Sequence, residues 1–331
     1  MAQDYTTDAL LARVKFLAMI PSNQGQITDA EIITLAQEQL VTEIVPFVVG
    51  VKQHYYTREY TLTTANGQLL YDLPGDANVD QFHSVRVTQA GVAERALVQI
   101  PSSSRPNWLP DIIRTGGAPT HYYIEGNQIG LLPVPANAAY TVTLTYDLRQ
   151  PTLVGTSAAA IVSSFLPTYT INTAATLPAS FTTADADGNY PAVQGVSPLP
   201  PFSGQLGFSS PVYVDSGSSG AALYLSSTPN GGGGTPTTSL GSIAIGSRIT
   251  LAGESVIPMI PAEMHPVLYQ ATAVAALRTL GPSDRFQTAL DELHRKEAAV
   301  TQMMTTRVDE QPVRTSALSS LSPGRRRRGV W

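Results

Sequence analysis

At Tyr55 the hydrophobic period of this chain shortens from that of a helix to that of a strand, and at Pro261 the helical period returns. Apolar residues three or four apart line one face of a helix, whereas strict alternation lines one face of a sheet. A chain that is helical at both ends and β between them predicts an α+β fold. Its terminal helices pair, and the β-structure is looped out from the middle.

The helical ends carry their own punctuation. Leu10, Leu11, Val14, Leu17 and Ala18 recur at helical spacing until Pro21 ends the run. After the turn "SNQGQ", Thr28 and Glu31 stand at the spacing of a capping box. They open a second helix with Ile32, Leu35, Ala36, Leu40, Ile44, Phe47 and Val48 along one side, in which Pro46 predicts a kink and Gly50 a weak point. Residues 1–54 thus read as a helical hairpin. Towards the other end a helix starts with Pro261 as its first residue and stops at Gly281, with Pro282 beyond. Ser283 caps a last helix whose buried stripe is Phe286, Leu290, Leu293, Val300 and Met304. Residues 255–308 form a second hairpin, which packs on 1–54 to make a helical bundle.

Residues 55–154 read as an antiparallel β-domain. "YYTREYTLTT", "GQLLYDLP", "FHSVRVTQ" and "RALVQIP" are strands separated by Gly-bearing turns, and "RPNWLPDIIR" is a short helix or an ordered loop. Glu125-Gly126-Asn127-Gln128 is a hairpin turn in which Gly126 and Asn127 tolerate positive φ. Beyond it Tyr140, Val142, Leu144 and Tyr146 alternate with Thr141, Thr143 and Thr145, the mark of a half-buried strand. Residues 155–254 turn Gly-, Ser- and Thr-rich. "TYTINTAA", "SPVYVDSGSSGAALYLSST" and "SRITLAG" hold strand candidates, so this stretch reads as an inserted small β-domain, the other reading being a mostly disordered insert.

Chemistry is scarce. The 331 residues include no cysteine, which removes disulfides, thiolate metal sites and Cys nucleophiles together. There is no G-x-S-x-G elbow, no Walker loop and no G-x-G-x-x-G after a strand, and "NGGGGT" lacks the Lys that would make it a phosphate cradle. His54, His83, His121, His265 and His294 stand at no metal-ligand spacing and are expected to be ordinary surface or interface histidines. "DADGN" at Asp185–Asn189 has the opening of a calcium loop without its distal Glu, so it reads as a turn. No metal, cofactor or enzymatic activity is expected. Tyr55, Tyr56, Tyr60, Tyr71, Tyr122, Tyr123, Tyr140 and Tyr146 gather in the β-region, where they serve sheet packing or a protein–protein surface.

Charge is unevenly spread. The formal net charge is −5, but residues 309–331 hold five arginines against two carboxylates, a net +3, which leaves −8 for the remaining body. An acidic body is a poor general nucleic-acid binder, since phosphate affinity needs distributed cations. Asp4, Asp8, Arg13 and Lys15 near the start argue against a signal peptide, and no apolar run reaches a membrane span, so no membrane partner is expected. The tail "SALSSLSPGRRRRGVW" has no helical period. It is either a solvated basic tail that binds nucleic acid weakly or an arm that docks into a partner. Docking is favoured: Arg314, Arg325, Arg326, Arg327 and Arg328 would grip carboxylates while Trp331 fills a pocket.

The stretch "HYYIEGNQIGLLPVPANAAYTVTLTYDLRQPTL" resembles the β-core of bacteriophage head-to-tail adaptor (connector) proteins. The likeness lies in the succession of a Tyr-bearing strand, a Gly-Asn turn, an apolar strand ending in Pro, and an alternating strand closing with Tyr and Arg-Pro, although here Gln150 intervenes between Arg149 and Pro151. It extends to "DALLARVKFLAMIP…TDAEIITLAQEQL" and the C-terminal helices, over residues 1–154 and 255–308; the insert departs from it. The resemblance implies a non-enzymatic virion protein of the neck, below the portal vertex, and the absence of cysteine fits assembly in the reducing cytoplasm of the host. It implies a homo-oligomeric ring, a dodecamer, that binds the portal protein above and a tail or nozzle component below. Double-stranded DNA would pass through its channel without sequence-specific binding, and residues 309–331 would be the portal-docking arm. Two other readings stand beside it. One is a different neck or tail-tube subunit, against which the helical ends argue; the other is a phage carbohydrate-binding or depolymerising protein that uses the insert for recognition.

Overall fold

The computed structural model describes residues 4–21, 26–52, 54–89, 92–101, 116–136, 140–166, 170–196, 205–206, 212–226, 245–281 and 284–305. Helix α1, Thr7–Ala18, begins where the Thr6 side chain accepts from the Ala9 amide, with Asp8 in its first turn and Lys15 in its last, each complementing the helix dipole. Met19 closes it in the left-handed region, at φ 53. Helix α2, Asp29–Gln39, opens on a reciprocal capping box. The Glu31 amide donates to Thr28 Oγ1 at 3.3 Å, and the Thr28 amide donates to Glu31 Oε2 at 2.6 Å.

The helix does not break where Pro46 predicts a kink. It passes through a π-helical turn, Leu40–Ile44, into α3, Val45–Val51. Proline has no amide proton, and its ring crowds the carbonyl four residues back. The wider turn, in which the Val45 amide reaches Leu40 O, absorbs that conflict. Ile32, Ala36, Leu40, Ile44 and Val48 therefore stay on one buried side. By length and composition the run Asp29–Val51 could cross a membrane, yet those five side chains lie in the helical core and Glu38 and Glu43 face solvent.

Eight strands follow: β1 Thr57–Thr63, β2 Leu70–Asp72, β3 Ala77–Gln89, β4 Val92–Ala96, β5 Val98–Gln99, β6 His121–Glu125, β7 Gln128–Leu132 and β8 Tyr140–Leu148. They form two sheets, β1-β8-β3-β4 and β2-β7-β6-β5, antiparallel except for the parallel β5–β6 pair. Leu62, Val85, Val142 and Leu144 of the first meet Tyr71, Tyr122, Ile129 and Leu131 of the second in one core. On β8, Tyr140, Val142, Leu144 and Tyr146 are buried, as their alternation predicts. In the β6–β7 turn Gly126 has φ 59, whereas Asn127 does not share its positive φ. One positive φ at the first central residue is the II′ pattern, so the freedom expected of Asn127 is not used. The segment "RPNWLPDIIR" lies outside the described residues.

The chain next enters β9, Thr152–Leu153, and a second β-region: β10 Ala160–Leu166, β11 Thr170–Thr173, a short helix α4 Ala179–Thr182, β12 Ala192–Val196, β13 Gln205–Leu206, β14 Val212–Val214, β15 Ala222–Ser226, β16 Arg248–Leu251 and β17 Glu254–Ser255. Strands run in the order β12-β14-β15-β11-β10-β16, and β16 pairs back onto β12, so these six close into an antiparallel barrel. Val162, Ile171, Val193, Val214, Leu223 and Ile249 fill it, together with Phe181 from α4. Closure leaves those strands no free edge.

Where the chain enters and leaves the barrel, β9 and β17 pair in parallel, Thr152 with Glu254 and Leu153 with Ser255. This neck is tied to the helices. The Thr7 amide donates to Val256 O at 2.8 Å, Thr7 Oγ1 donates to Val154 O at 2.9 Å, and the Leu153 amide donates to Gln37 Oε1 at 2.9 Å. A 3-10 turn, Ala262–Met264, leads into α5, His265–Leu280. Pro261 is the residue before that turn rather than the first helical residue, and Pro266 takes the early helical place, where no amide proton is needed. Helix α6, Asp284–Thr305, contributes Leu293 and Val300 to the buried core and Phe286 and Leu290 at its margin. Ser283 and the Met304 side chain lie outside the described residues. Side chains of α1, α2, α3, α5 and α6 share one apolar cluster.

Candidate functional site

Charged side chains of the β-sandwich hold one another. Asp76 receives Arg58 Nη1 on one oxygen at 2.7 Å and the Tyr146 hydroxyl on the other at 3.1 Å. Asp147 is buried on β8. Its Oδ1 accepts from Thr57 Oγ1 at 3.0 Å and from His83 Nε2 at 2.8 Å, so that nitrogen carries the proton. Arg86 of β3 bridges Glu59 of β1 at 2.6 Å and Glu94 of β4 at 3.4 Å. These contacts run across strands and fix register, and the more exposed Arg86 pairs add little stability, since exposed pairs contribute about 0–1 kcal/mol each. At the start of β6, Thr120 Oγ1 lies 2.8 Å from Nδ1 of its neighbour His121 and 3.4 Å from Leu132 O.

The "DADGN" segment is a turn. Asp185 Oδ1 accepts from the amides of Asn189 at 2.8 Å and Asp187 at 2.9 Å, and these bonds hold its carboxyl below the usual carboxylate range. Among the described residues no three His, Asp or Glu side chains stand where they could share a metal ion.

Six of the eight tyrosines singled out in the β-region are buried: Tyr56, Tyr71, Tyr122, Tyr123, Tyr140 and Tyr146. Tyr56 packs into the helical core and the other five into the sheets, which leaves half-buried Tyr55 and Tyr60 for any contact surface. Burial pushes the Tyr55 hydroxyl up to about 12, and the nearby Glu263 charge adds to it. One histidine departs from expectation. His54, His83 and His294 are exposed and His121 half-buried, but His265 is fully enclosed, because the first turn of α5 lies beneath Tyr5.

The outstanding surface is apolar and lies on α1. Helical spacing turns Leu10, Val14 and Ala18 inward, which leaves Phe16 on the far side, 70% exposed, next to Met19 at 64%. With Ala12, Lys15, Leu17 and Ile20 they line an open groove of about 610 Å³. The Arg13 guanidinium lies 5.3 Å from the Phe16 ring centroid. Sequence reasoning passed over this surface, although its signal was present: Phe16 falls off the apolar stripe of its own helix. The expected docking residues Arg314, Arg325, Arg326, Arg327, Arg328 and Trp331 lie outside the described residues.

No curated protein matches the chain. Residues 5–169, about half of it, match the family of the SU10 adaptor protein, a span that takes in α1 to α3, the whole β-sandwich and the start of the barrel. By that match the chain belongs to the phage adaptor protein family.

Proposed function

We propose that the chain is the subunit of a head-to-tail adaptor ring in the virion neck. Copies assemble into a homo-oligomer, a dodecamer by the resemblance, that joins the portal protein to a tail or nozzle component and leaves an axial channel for double-stranded DNA. One observation carries this reading: the adaptor match runs unbroken through the helical start and the β-sandwich, whose Glu59, Asp76 and Asp147 are engaged in holding strands together. The role is structural and non-enzymatic. A body charge of −8 outside residues 309–331 suits a duct, because like charge keeps a passing duplex from adhering.

In this reading residues 1–54 and 255–308 are two hairpins of one bundle, supported by the apolar cluster their helices share. Residues 55–154 are the β-domain that braces the ring, 155–254 the inserted β-domain, and 309–331 the arm that docks on the portal through Arg314, Arg325 to Arg328 and Trp331. A ring of identical subunits needs two different faces on each, closed by rotation. The exposed Phe16 and Met19 supply an apolar patch for one of them, with a second copy of the chain as its occupant.

Electron microscopy of the chain mixed with its portal tests the ring directly: particles with the chain stacked on the portal vertex are expected, and a chain that stays apart and monomeric overturns it. Deletion of 309–331 should weaken portal binding while the fold survives. Unchanged binding removes the docking arm. If the arm instead tethers nucleic acid, the full chain binds free duplex with a steep salt slope that the deletion abolishes.

A further inference from the structure

Where the N-terminal segment, the neck of the barrel and α5 meet, His265 is 0% exposed and neither of its ring nitrogens has a hydrogen-bond partner among the described residues. Its ring centroid lies 4.3 Å from that of Tyr5 and 6.0 Å from that of Tyr269, whose buried hydroxyl is also without a partner. Tyr5 in turn packs with Val256 and Ile257 of the neck. His265 is the first residue of α5, and Met264 before it offers no side-chain cap. Three features therefore oppose a cation here: enclosure, ring nitrogens that make no hydrogen bond to a described residue, and the positive end of a helix dipole.

We propose that His265 is an acid-sensitive latch: while neutral it lets Tyr5 and the neck close over the start of α5, and on protonation it forces that contact open. The N-terminal segment is then released from the neck, while the barrel and the sandwich remain folded.

Among the described residues no charged side chain contributes to the shift of His265. Burial alone pushes His265 down, to about 3. Asp4 and Arg13 act on Tyr269, with opposite signs, and Glu263 acts on Tyr55. Glu254, on β17, is raised by burial, so its effect runs the other way: acid relieves it. For His265 the folded value lies below the unfolded one of about 6.5, so its stabilising contribution is whole above that pH and is lost as pH falls towards 3. If opening frees the imidazole, the open population at pH 5 exceeds that at pH 7.5 by about 30-fold, the ratio of proton binding for those two values.

Amide hydrogen exchange of the full chain, corrected for intrinsic rates, reads this at pH 7.5 and pH 5. The Thr7 amide, bonded to Val256 O, and the Val154 amide, bonded to Ser255 O, report the latch. The Val162 amide, bonded to Ser247 O, reports the barrel, and the Leu131 amide, bonded to Leu69 O, reports the sandwich. The expected result is an approximately 30-fold rise in opening at Thr7 and Val154 alone. His265→Gln and His265→Phe should each abolish the rise; either one suffices if the other misfolds. Equal opening of wild type at the two pH values overturns the latch, as does an undiminished rise in the variants. Loss of protection at all four amides together also overturns it, by showing global acid unfolding.

Discussion

Tyr123 and Gly130 face each other across the β6–β7 hairpin, and a methyl group on Gly130 would lie 2.1 Å from Tyr123 Cζ. The glycine is there because the ring lies over it, for Tyr123 is 1% exposed and has nowhere to go. Gly130 does not have a positive φ, so the demand is steric rather than conformational. Gly130→Ala should therefore overpack the sandwich and cost about 1–3 kcal/mol, measured as a lower denaturant midpoint of the sandwich. Pairing it with Tyr123→Leu should recover part of the loss. If the double variant is as unstable as the sum of the two single ones, the clash is not the cause.

Thr28→Ala removes half of the capping box that opens α2. Thr28 Oγ1 takes the Glu31 amide, and exposed Glu31, whose carboxyl is held below the usual range by its bonds to Thr28, covers the Thr28 amide. The expected loss is about 1 kcal/mol, confined to the first turn. Faster hydrogen exchange at Glu31 and Ile32, with the barrel amides unmoved, is the measurement.

The capping box was legible because it is a local rule: two side chains three residues apart are enough to specify it. So was the inward row of β8, for a period of two needs no knowledge of partners. Barrel closure was not legible. It depends on β16 pairing with β12, strands about fifty residues apart, and nothing in "SRITLAG" names its neighbour. The enclosure of His265 was hidden for the same reason, since Tyr5 covers it from the far end of the chain. At Pro46 the local rule gave the right tension and the wrong relief: a kink and a π-turn both remove the clash, and the buried row from Ile32 to Val48 favours the one that keeps the helix in register. Phe16 was visible in the sequence as an apolar residue off its stripe, but only the packed helices show that it stays 70% exposed among the described residues.

The pairing of β9 with β17 leads us to expect a barrel that can be removed as a unit. Thr152 and Glu254 are cross-strand partners, and the Thr152 amide donates to Gly253 O at 2.8 Å, so the chain leaves and rejoins the rest of the fold at one point. Replacing residues 156–252 with a short Gly/Ser linker removes the exposed bond from Thr156 to Asp8 and the bonds that Gln194 and Thr250 make to the neck at Gly253 and Glu254, and leaves the two other cores intact. The shortened chain should be soluble, keep its helical circular dichroism, and protect the Thr64 and Leu131 amides as the full chain does. Aggregation or loss of that protection would show the barrel to be integral to the fold.

Met19 is expected to set folding against assembly. It holds φ 53 and ψ 40 at the end of α1, a conformation that a residue with a β-carbon adopts at a cost of about 1–2 kcal/mol and glycine adopts freely. Its side chain recovers little of that within the subunit, being 64% exposed. Strain kept at an exposed apolar residue points to a use outside the subunit. Met19→Gly should therefore raise the melting temperature of the isolated subunit, by an amount equivalent to about 1 kcal/mol, while shifting its sedimentation profile from oligomer towards monomer. Phe16→Ser should weaken association likewise with little change in folding stability. A stabilised Met19→Gly chain that still assembles as wild type would exclude this patch from the subunit contact.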